Sequence, residues 1–122
     1  MAEEQTETTD VQLPPTRVKE LIDSGDAQLI DVREAYEYEA GHIAGARNVE
    51  LPEVPSRALE IDRDQRVVFI CRGGNRSLMV AEAFAGDGYD AHNMEGGLAA
   101  WAEAGLPLEP EDGEVVERRV TH

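Results

Sequence analysis

Short apolar segments alternate along the chain with segments in which apolar residues recur at helical spacing. This pattern predicts strands at residues 27–32, 46–49, 67–70 and 89–93. Helices are predicted at residues 14–24, 33–40, 52–61, 76–85 and 98–104. Because strands and helices alternate, the chain is expected to have an α/β fold, with a central parallel sheet of four to five strands and helices on both faces.

Composition sets the limits of one predicted domain. At 122 residues the chain has room for a single domain, which we place at residues 14–107. Residues 1–13 contain few apolar side chains and are expected to form a disordered N-terminal arm. Residues 108–122 are expected to form an acidic, then mixed C-terminal tail, in which residues 114–120 could be strand, helix or coil.

The chain is strongly acidic, with 26 acidic and 11 basic residues and a net charge of −15. Such a surface repels phosphate, so nucleic acid is not an expected partner. Lys19 is the only lysine, and the acidic residues are spread along the chain instead of being confined to one tail. This pattern is typical of proteins from salt-loving cells, in which ions screen the self-repulsion. An acidic protein from a GC-rich genome is the alternative.

Several other classes of protein are also disfavoured. No apolar run approaches the roughly 20 residues of a membrane span, and the polar, acidic start does not resemble a signal peptide. With one cysteine the chain forms no internal disulfide, and a reducing cytoplasm is the expected compartment. His92 and His122 have no partner pattern typical of a metal site, so we expect neither a metal nor a cofactor.

The one cysteine lies where a predicted buried strand turns into a predicted helix. It opens a glycine-rich loop with two arginines, which consists of Cys71, Arg72, Gly73, Gly74, Asn75, Arg76 and Ser77. A helix N-terminus offers unpaired N–H groups and the positive end of the helix dipole. These groups and the arginine charges favour the thiolate, which is the nucleophilic form. The loop therefore predicts a catalytic cysteine, and a cysteine that only fills the core is the disfavoured alternative.

Four fragments of the sequence, in this order, resemble the motifs of one enzyme family. Residues 29–34 read Leu-Ile-Asp-Val-Arg-Glu, and residues 41–48 read Gly-His-Ile-Ala-Gly-Ala-Arg-Asn. The cysteine loop fits the pattern Cys-Arg-x-Gly-x-Arg, and residues 94–101 read Met-Glu-Gly-Gly-Leu-Ala-Ala-Trp. Over roughly residues 15–107 the chain is thus similar to the single-domain rhodaneses, which are sulfurtransferases.

The resemblance implies a rhodanese-like fold and a double displacement at Cys71. A small anionic donor such as thiosulfate would leave a persulfide on Cys71, and cyanide or a thiol would accept the sulfur. Gly73 and Gly74 would let the backbone N–H groups of the loop turn inward to stabilise the negative sulfur. Arg72 is expected to meet the anionic donor, while Arg76 is expected to brace the loop or rim the pocket.

The resemblance also places Asp31 and Arg33 behind or beside the loop. We expect an ion pair between these two side chains in preference to contact with substrate. His42 belongs to a motif that is structural in the family, so we do not expect it to act as a general base. Residues 36–39 are acidic where two-domain rhodaneses that use thiosulfate carry a basic residue near the thiosulfate site. This difference argues against tight thiosulfate binding and for a protein or small-molecule persulfide as the physiological donor.

Two other functions stay open at this point. Protein tyrosine phosphatases place five residues between their cysteine and arginine, whereas four separate Cys71 from Arg76. The shorter loop makes a smaller anion-binding concavity, which fits a sulfur atom better than a phosphoryl group. The other alternative is a sulfur carrier that docks on a partner enzyme, so a protein that donates a persulfide or accepts the sulfur is a further candidate partner.

Overall fold

The computed structural model describes residues 11–118 and contains one parallel sheet within that range. Its strands are β1 (Gln12–Leu13), β2 (Gln28–Asp31), β3 (Arg47–Asn48), β4 (Val67–Ile70) and β5 (Ala91–Met94). Its α-helices are α1 (Pro15–Ser24), α2 (Ala35–Ala40), α3 (Asn75–Gly86) and α4 (Gly97–Glu103). The strand order β1-β5-β4-β2-β3 makes β4 the central strand and confirms the predicted α/β architecture.

Both faces of the sheet are buried. Along β4, Val67 and Phe69 belong to one apolar cluster, while Val68 and Ile70 belong to the other. Side chains of successive strand residues point to opposite faces, so a continuous apolar run is what a sheet covered on both sides requires. Residues of α1 and α4 cover one face, and residues of α3 and of the segment before β4 cover the other.

Strand β1 lies in the segment predicted to be a disordered arm. Gln12 pairs with Asn93, and Leu13 pairs with Met94, so residues 11–13 join the edge of the sheet. A strand of two residues is too short to show any hydrophobic period, and its order depends on backbone hydrogen bonds to β5. The remainder of the predicted arm, residues 1–10, lies outside the described residues.

The predicted helix at residues 52–61 was wrong in type. Two short 3₁₀ segments, Leu51–Glu53 and Pro55–Glu60, occupy this region. Pro52 and Pro55 have no backbone N–H to donate, and Arg57 has non-helical angles, φ −112° and ψ 15°, inside the second segment. The α-helical hydrogen-bond pattern is therefore interrupted within this stretch, and short 3₁₀ turns take its place.

The segment after residue 107 packs against the domain through residue 118. His42 and Glu109 exchange backbone hydrogen bonds of 2.9 and 2.7 Å in an antiparallel bridge. The Glu114 N–H donates to the Ala40 carbonyl at 2.8 Å, next to a close contact between Gly41 and Gly113. The predicted tail is therefore anchored to the domain as far as Glu114 and continues in irregular conformation to residue 118, while residues 119–122 lie outside the described range.

Within residues 11–118, no helix combines the length and the apolar character that crossing a membrane would take.

Candidate active site

Cys71 follows the last residue of the central strand, at the carboxyl end of the sheet. Its side chain is buried, and its backbone begins the turn that leads into α3. The carbonyl oxygens of Cys71 and Arg72 accept hydrogen bonds from the N–H groups of Leu98 and Ala99, at 2.8 and 2.9 Å. The first turn of α4 thus holds the start of the loop in place and satisfies two of its own orphan N–H groups.

Two backbone donors point at the sulfur of Cys71. The Gly74 N–H lies 3.1 Å from Sγ and the Ser77 N–H lies 3.4 Å away, while the Ser77 hydroxyl oxygen lies 3.2 Å from Sγ. These groups come from the loop and the first turn of α3, a helix of 12 residues whose positive end faces the sulfur. This arrangement stabilises negative charge on a sulfur at this position.

A buried asparagine holds the residues that surround the sulfur. Asn93 in β5 accepts the single proton of the Ser77 hydroxyl through its Oδ1 at 2.5 Å, so that hydroxyl does not also donate to Sγ. Its Nδ2 donates to the Gly74 carbonyl at 3.2 Å and to Gln12 Oε1 at 2.6 Å. Asn93 is fully buried, and the sequence analysis did not identify it as a site residue. A polar amide at the end of a predicted buried strand is the feature that could have indicated this role. It ties the loop to the sheet and to β1.

Glycine is required where α4 meets the loop. Gly97 has φ +63°, and a Cβ built on it would lie 2.5 Å from the carbonyl oxygens of both Cys71 and Arg72. Real Cβ atoms do not approach backbone this closely, and the positive φ strains any other residue. Glycine at the first position of α4 is therefore a packing requirement of the loop that carries the thiol.

Arg76 forms a bidentate ion pair with Glu37 of α2. Its two terminal nitrogens donate to the two carboxylate oxygens at 2.9 and 3.0 Å, and the Glu37 side chain is fully buried. Burial by itself would raise the pKa of Glu37. The bonds from Arg76 and the Glu34 backbone N–H, with the charges of Arg76 and Arg33, outweigh burial and lower that pKa below its ordinary value.

A second buried ion pair lies beneath the first. Arg33 donates to both carboxylate oxygens of Asp31, with the shortest contact at 2.8 Å, and both side chains are fully buried. Arg33 also donates to the carbonyl of Gly41 at 2.8 Å. Neither side chain lines the pocket above Cys71, so both act by fixing the backbone around β2 and the turn that follows α2.

An open pocket of about 510 Å³ lies above the thiol. Its walls are formed by Cys71, Arg72, Gly73, Asn75, Arg76, Glu117 and Arg118. Arg72 approaches Glu117 with 3.8 Å between nitrogen and oxygen, and Arg118 pairs with Glu34 at 3.2 Å. The pocket is therefore polar and carries more cations than the strongly acidic chain would suggest.

A model of the Rhodanese-like domain family matches residues 14–104. The chain belongs to the rhodanese family. It is 36% identical over 94 residues to a sulfurtransferase of Allochromatium vinosum, with 76% of this chain and 88% of that protein covered. It is 30% identical over 104 residues to the thiosulfate sulfurtransferase GlpE of Pseudomonas aeruginosa, with 84% and 93% covered.

A solved structure shows the same architecture. The rhodanese-related protein from Thermoplasma volcanium superposes with a TM-score of 0.75 at 30% identity, over 80% of this chain and 95% of that one. These relatives place the chain in a family of sulfurtransferases.

The structure brings most of the predicted residues of this rhodanese to one place. Five loop residues line the pocket, while Gly74 and Ser77 do not line it and donate to the sulfur through their backbone N–H groups. His42 lies elsewhere: its ring stacks on Tyr38 with centroids 3.8 Å apart, and its Nδ1 lies 2.8 Å from the Tyr38 carbonyl oxygen. Residues 11–118 contain no cluster of three His, Cys, Asp or Glu side chains that could hold a metal ion.

Proposed function

We propose that this protein moves sulfane sulfur from an anionic donor to a thiophilic acceptor through a persulfide on Cys71. The donor is thiosulfate or another persulfide, and the acceptor is cyanide or a thiol, on a small molecule or on a protein. The observation that carries the proposal is the pair of backbone N–H donors aimed at Sγ, at the floor of a cationic pocket. A reducing cytoplasm would keep the thiol free between turnovers.

The two half-reactions balance without any cofactor. The Cys71 thiolate attacks the outer sulfur of thiosulfate, the sulfur–sulfur bond of the donor breaks, and sulfite leaves with the electron pair. The enzyme then carries Cys71 with a terminal, negatively charged sulfur. Cyanide attacks that sulfur and leaves as thiocyanate, which restores the thiolate; a thiol acceptor leaves as its own persulfide.

The surroundings of Cys71 match the charges that this cycle creates. Sγ is negative before the first step, and the N–H groups of Gly74 and Ser77 are already aimed at it. After that step the negative charge lies on the added terminal sulfur, which stays bonded to Sγ beside the same loop. Arg72 lies on the wall of the pocket, where a charge-assisted contact would attract an anionic donor. Arg76 is already paired with Glu37 and serves to hold the loop.

Mass spectrometry of the intact protein tests the proposal directly. Treatment with thiosulfate should add one sulfur, about 32 Da, to the wild-type protein, as a covalent intermediate requires. Cyanide should remove the added mass and release thiocyanate. The Cys71→Ser variant should show neither step. Sulfur transfer that persists in Cys71→Ser would overturn the assignment, and efficient Cys71-dependent hydrolysis of aryl phosphates would favour a phosphatase instead.

A further inference from the structure

The C-terminal segment forms one wall of the active-site pocket. This segment lies outside residues 14–104, which are the part matched by the family model. The Glu109 backbone bridges His42, and the Glu114 N–H bonds to Ala40, so the segment is anchored on the turn after α2. From these anchors the chain reaches Glu117 and Arg118, both of which line the pocket above Cys71.

The charges in this pocket are not equally available to a donor. Arg76 is engaged by both oxygens of the buried Glu37, and Arg118 pairs with Glu34. Arg118 is held by a hydrogen bond of 3.2 Å at the surface, whereas Arg72 approaches Glu117 at 3.8 Å, too long for a good hydrogen bond. The Glu117 side chain is 86% exposed and the Arg72 side chain is 37% exposed, so a ligand can compete for Arg72.

We propose that Glu117 is a specificity-determining residue that disfavours dianionic sulfur donors relative to monoanionic ones. The proposal deepens the proposed function and rests on it. Any anion that binds Arg72 must share it with the Glu117 carboxylate or displace that carboxylate. A second negative charge on the donor adds repulsion from Glu117 at close range, because Coulomb energy grows with the product of the charges.

Two donors isolate this charge difference from the chemistry. Thiosulfate is a dianion, and methanethiosulfonate, CH₃SO₂S⁻, is a monoanion with the same outer sulfur. In both reactions the Cys71 thiolate attacks that sulfur and its bond to the oxidised sulfur breaks. Sulfite leaves from thiosulfate, and methanesulfinate leaves from methanethiosulfonate, each with the electron pair. The ratio of kcat/KM for the two donors therefore reports how the pocket treats the second charge.

Glu117→Gln removes the charge and keeps the size of the side chain. An exposed pair is worth up to about 1 kcal/mol, so the ratio of thiosulfate to methanethiosulfonate should rise about twofold to fivefold at about 0.01 M salt. The rise should largely disappear at about 1 M potassium chloride, where the Debye length is about 3 Å. Glu111→Gln makes the same change in net charge in the same segment, outside the pocket, and should leave the ratio unchanged.

An unchanged ratio in Glu117→Gln, or an equal rise in Glu111→Gln, would overturn the inference while leaving sulfur transfer intact. A binding measurement separates the inference from the proposed function. In the Cys71→Ser background, which transfers no sulfur, calorimetry should show tighter thiosulfate binding when Glu117→Gln is added. If the wild-type protein forms no persulfide with either donor, the proposed function is refuted. In that case the role of Glu117 is refuted only if adding Glu117→Gln to Cys71→Ser does not tighten the binding of thiosulfate.

Discussion

Replacing Arg76 with methionine would leave the buried carboxylate of Glu37 without its main partner. Methionine fills a similar volume and carries no charge, so the change removes the ion pair with little loss of packing. The Glu37 side chain has no exposed surface, whereas that of Arg76 is 16% exposed. The carboxylate therefore cannot regain water in the variant unless the structure opens.

Removing one partner of a buried ion pair typically costs about 3–5 kcal/mol, because the other charge stays buried and uncompensated. In this protein Arg33 also lies close enough to lower the pKa of Glu37, and the Glu34 N–H still donates to its carboxylate at 3.0 Å. These two groups retain part of the stabilisation. We therefore expect the free energy of unfolding of Arg76→Met to fall by about 3 kcal/mol near neutral pH.

The loss should depend on pH with a defined sign. In the wild type the folded-state pKa of Glu37 is below its ordinary value, so its contribution is present above that value and is lost as the pH falls through the folded-state pKa. In Arg76→Met burial dominates and the pKa of Glu37 rises above its ordinary value. The folded variant then binds a proton as the pH falls, and the difference in free energy of unfolding between the wild type and the variant becomes smaller.

Urea unfolding of both proteins at about pH 7 and about pH 5 measures this difference. Arg57→Met is the matched control, because Arg57 pairs with Glu53 and Glu60 on the surface, where both carboxylates stay hydrated. The control should lose far less stability, and its difference from the wild type in the free energy of unfolding should not shrink between about pH 7 and about pH 5. A loss in Arg76→Met as small as in the control, or a gap that stays constant between the two pH values, would refute the account of Glu37 as a buried charge held by Arg76.

Two further predictions concern the loop and the surface. Gly97→Ala should destabilise the protein by more than the roughly 1–3 kcal/mol of a strained backbone and should slow persulfide formation, because its Cβ would press on the carbonyls of Cys71 and Arg72. Gly105→Ala is the control by the same assays: it also has positive φ but open space around it, so only the strain should appear. The melting temperature should rise as potassium chloride is raised from near zero to molar levels, because salt screens the repulsion within a chain of net charge −15. A melting temperature that stays flat or falls would refute the halophilic interpretation.

The chemistry-bearing loop could be predicted from the sequence because its information is local. Cys71 to Ser77 are consecutive, and the signals on either side of them, a buried strand and a helix, lie within a few residues. The strand order could not be derived from local patterns, and β1 illustrates why. Its two residues are held by pairing with β5, about 80 positions along the chain, so no local period reports them.

The partners of the loop were missed for the same physical reason. Asn93 and Glu37 contact the loop only after the sheet and α2 are assembled, and each belongs to a different element. In the sequence Glu37 is one of three glutamates within residues 34–39, and nothing local distinguishes the buried carboxylate from its neighbours. Its position opposite Arg76 is set by the tertiary packing of α2 against the loop.

The site is thus divided between two parts of the chain that are constrained differently. The loop is held by buried and specific contacts, from α4, Asn93 and Glu37, and a change in any of them disturbs the donors around Sγ. The mouth of the pocket is formed in part by exposed side chains at residues 117 and 118, whose ion pairs lie at the surface and do not involve the residues that hold the loop. Charged residues at the mouth can be substituted with little loss of stability, whereas substitutions that displace the donors around the sulfur would destabilise the loop. Donor preference should therefore vary among rhodaneses far more readily than the capacity to carry sulfur on the cysteine.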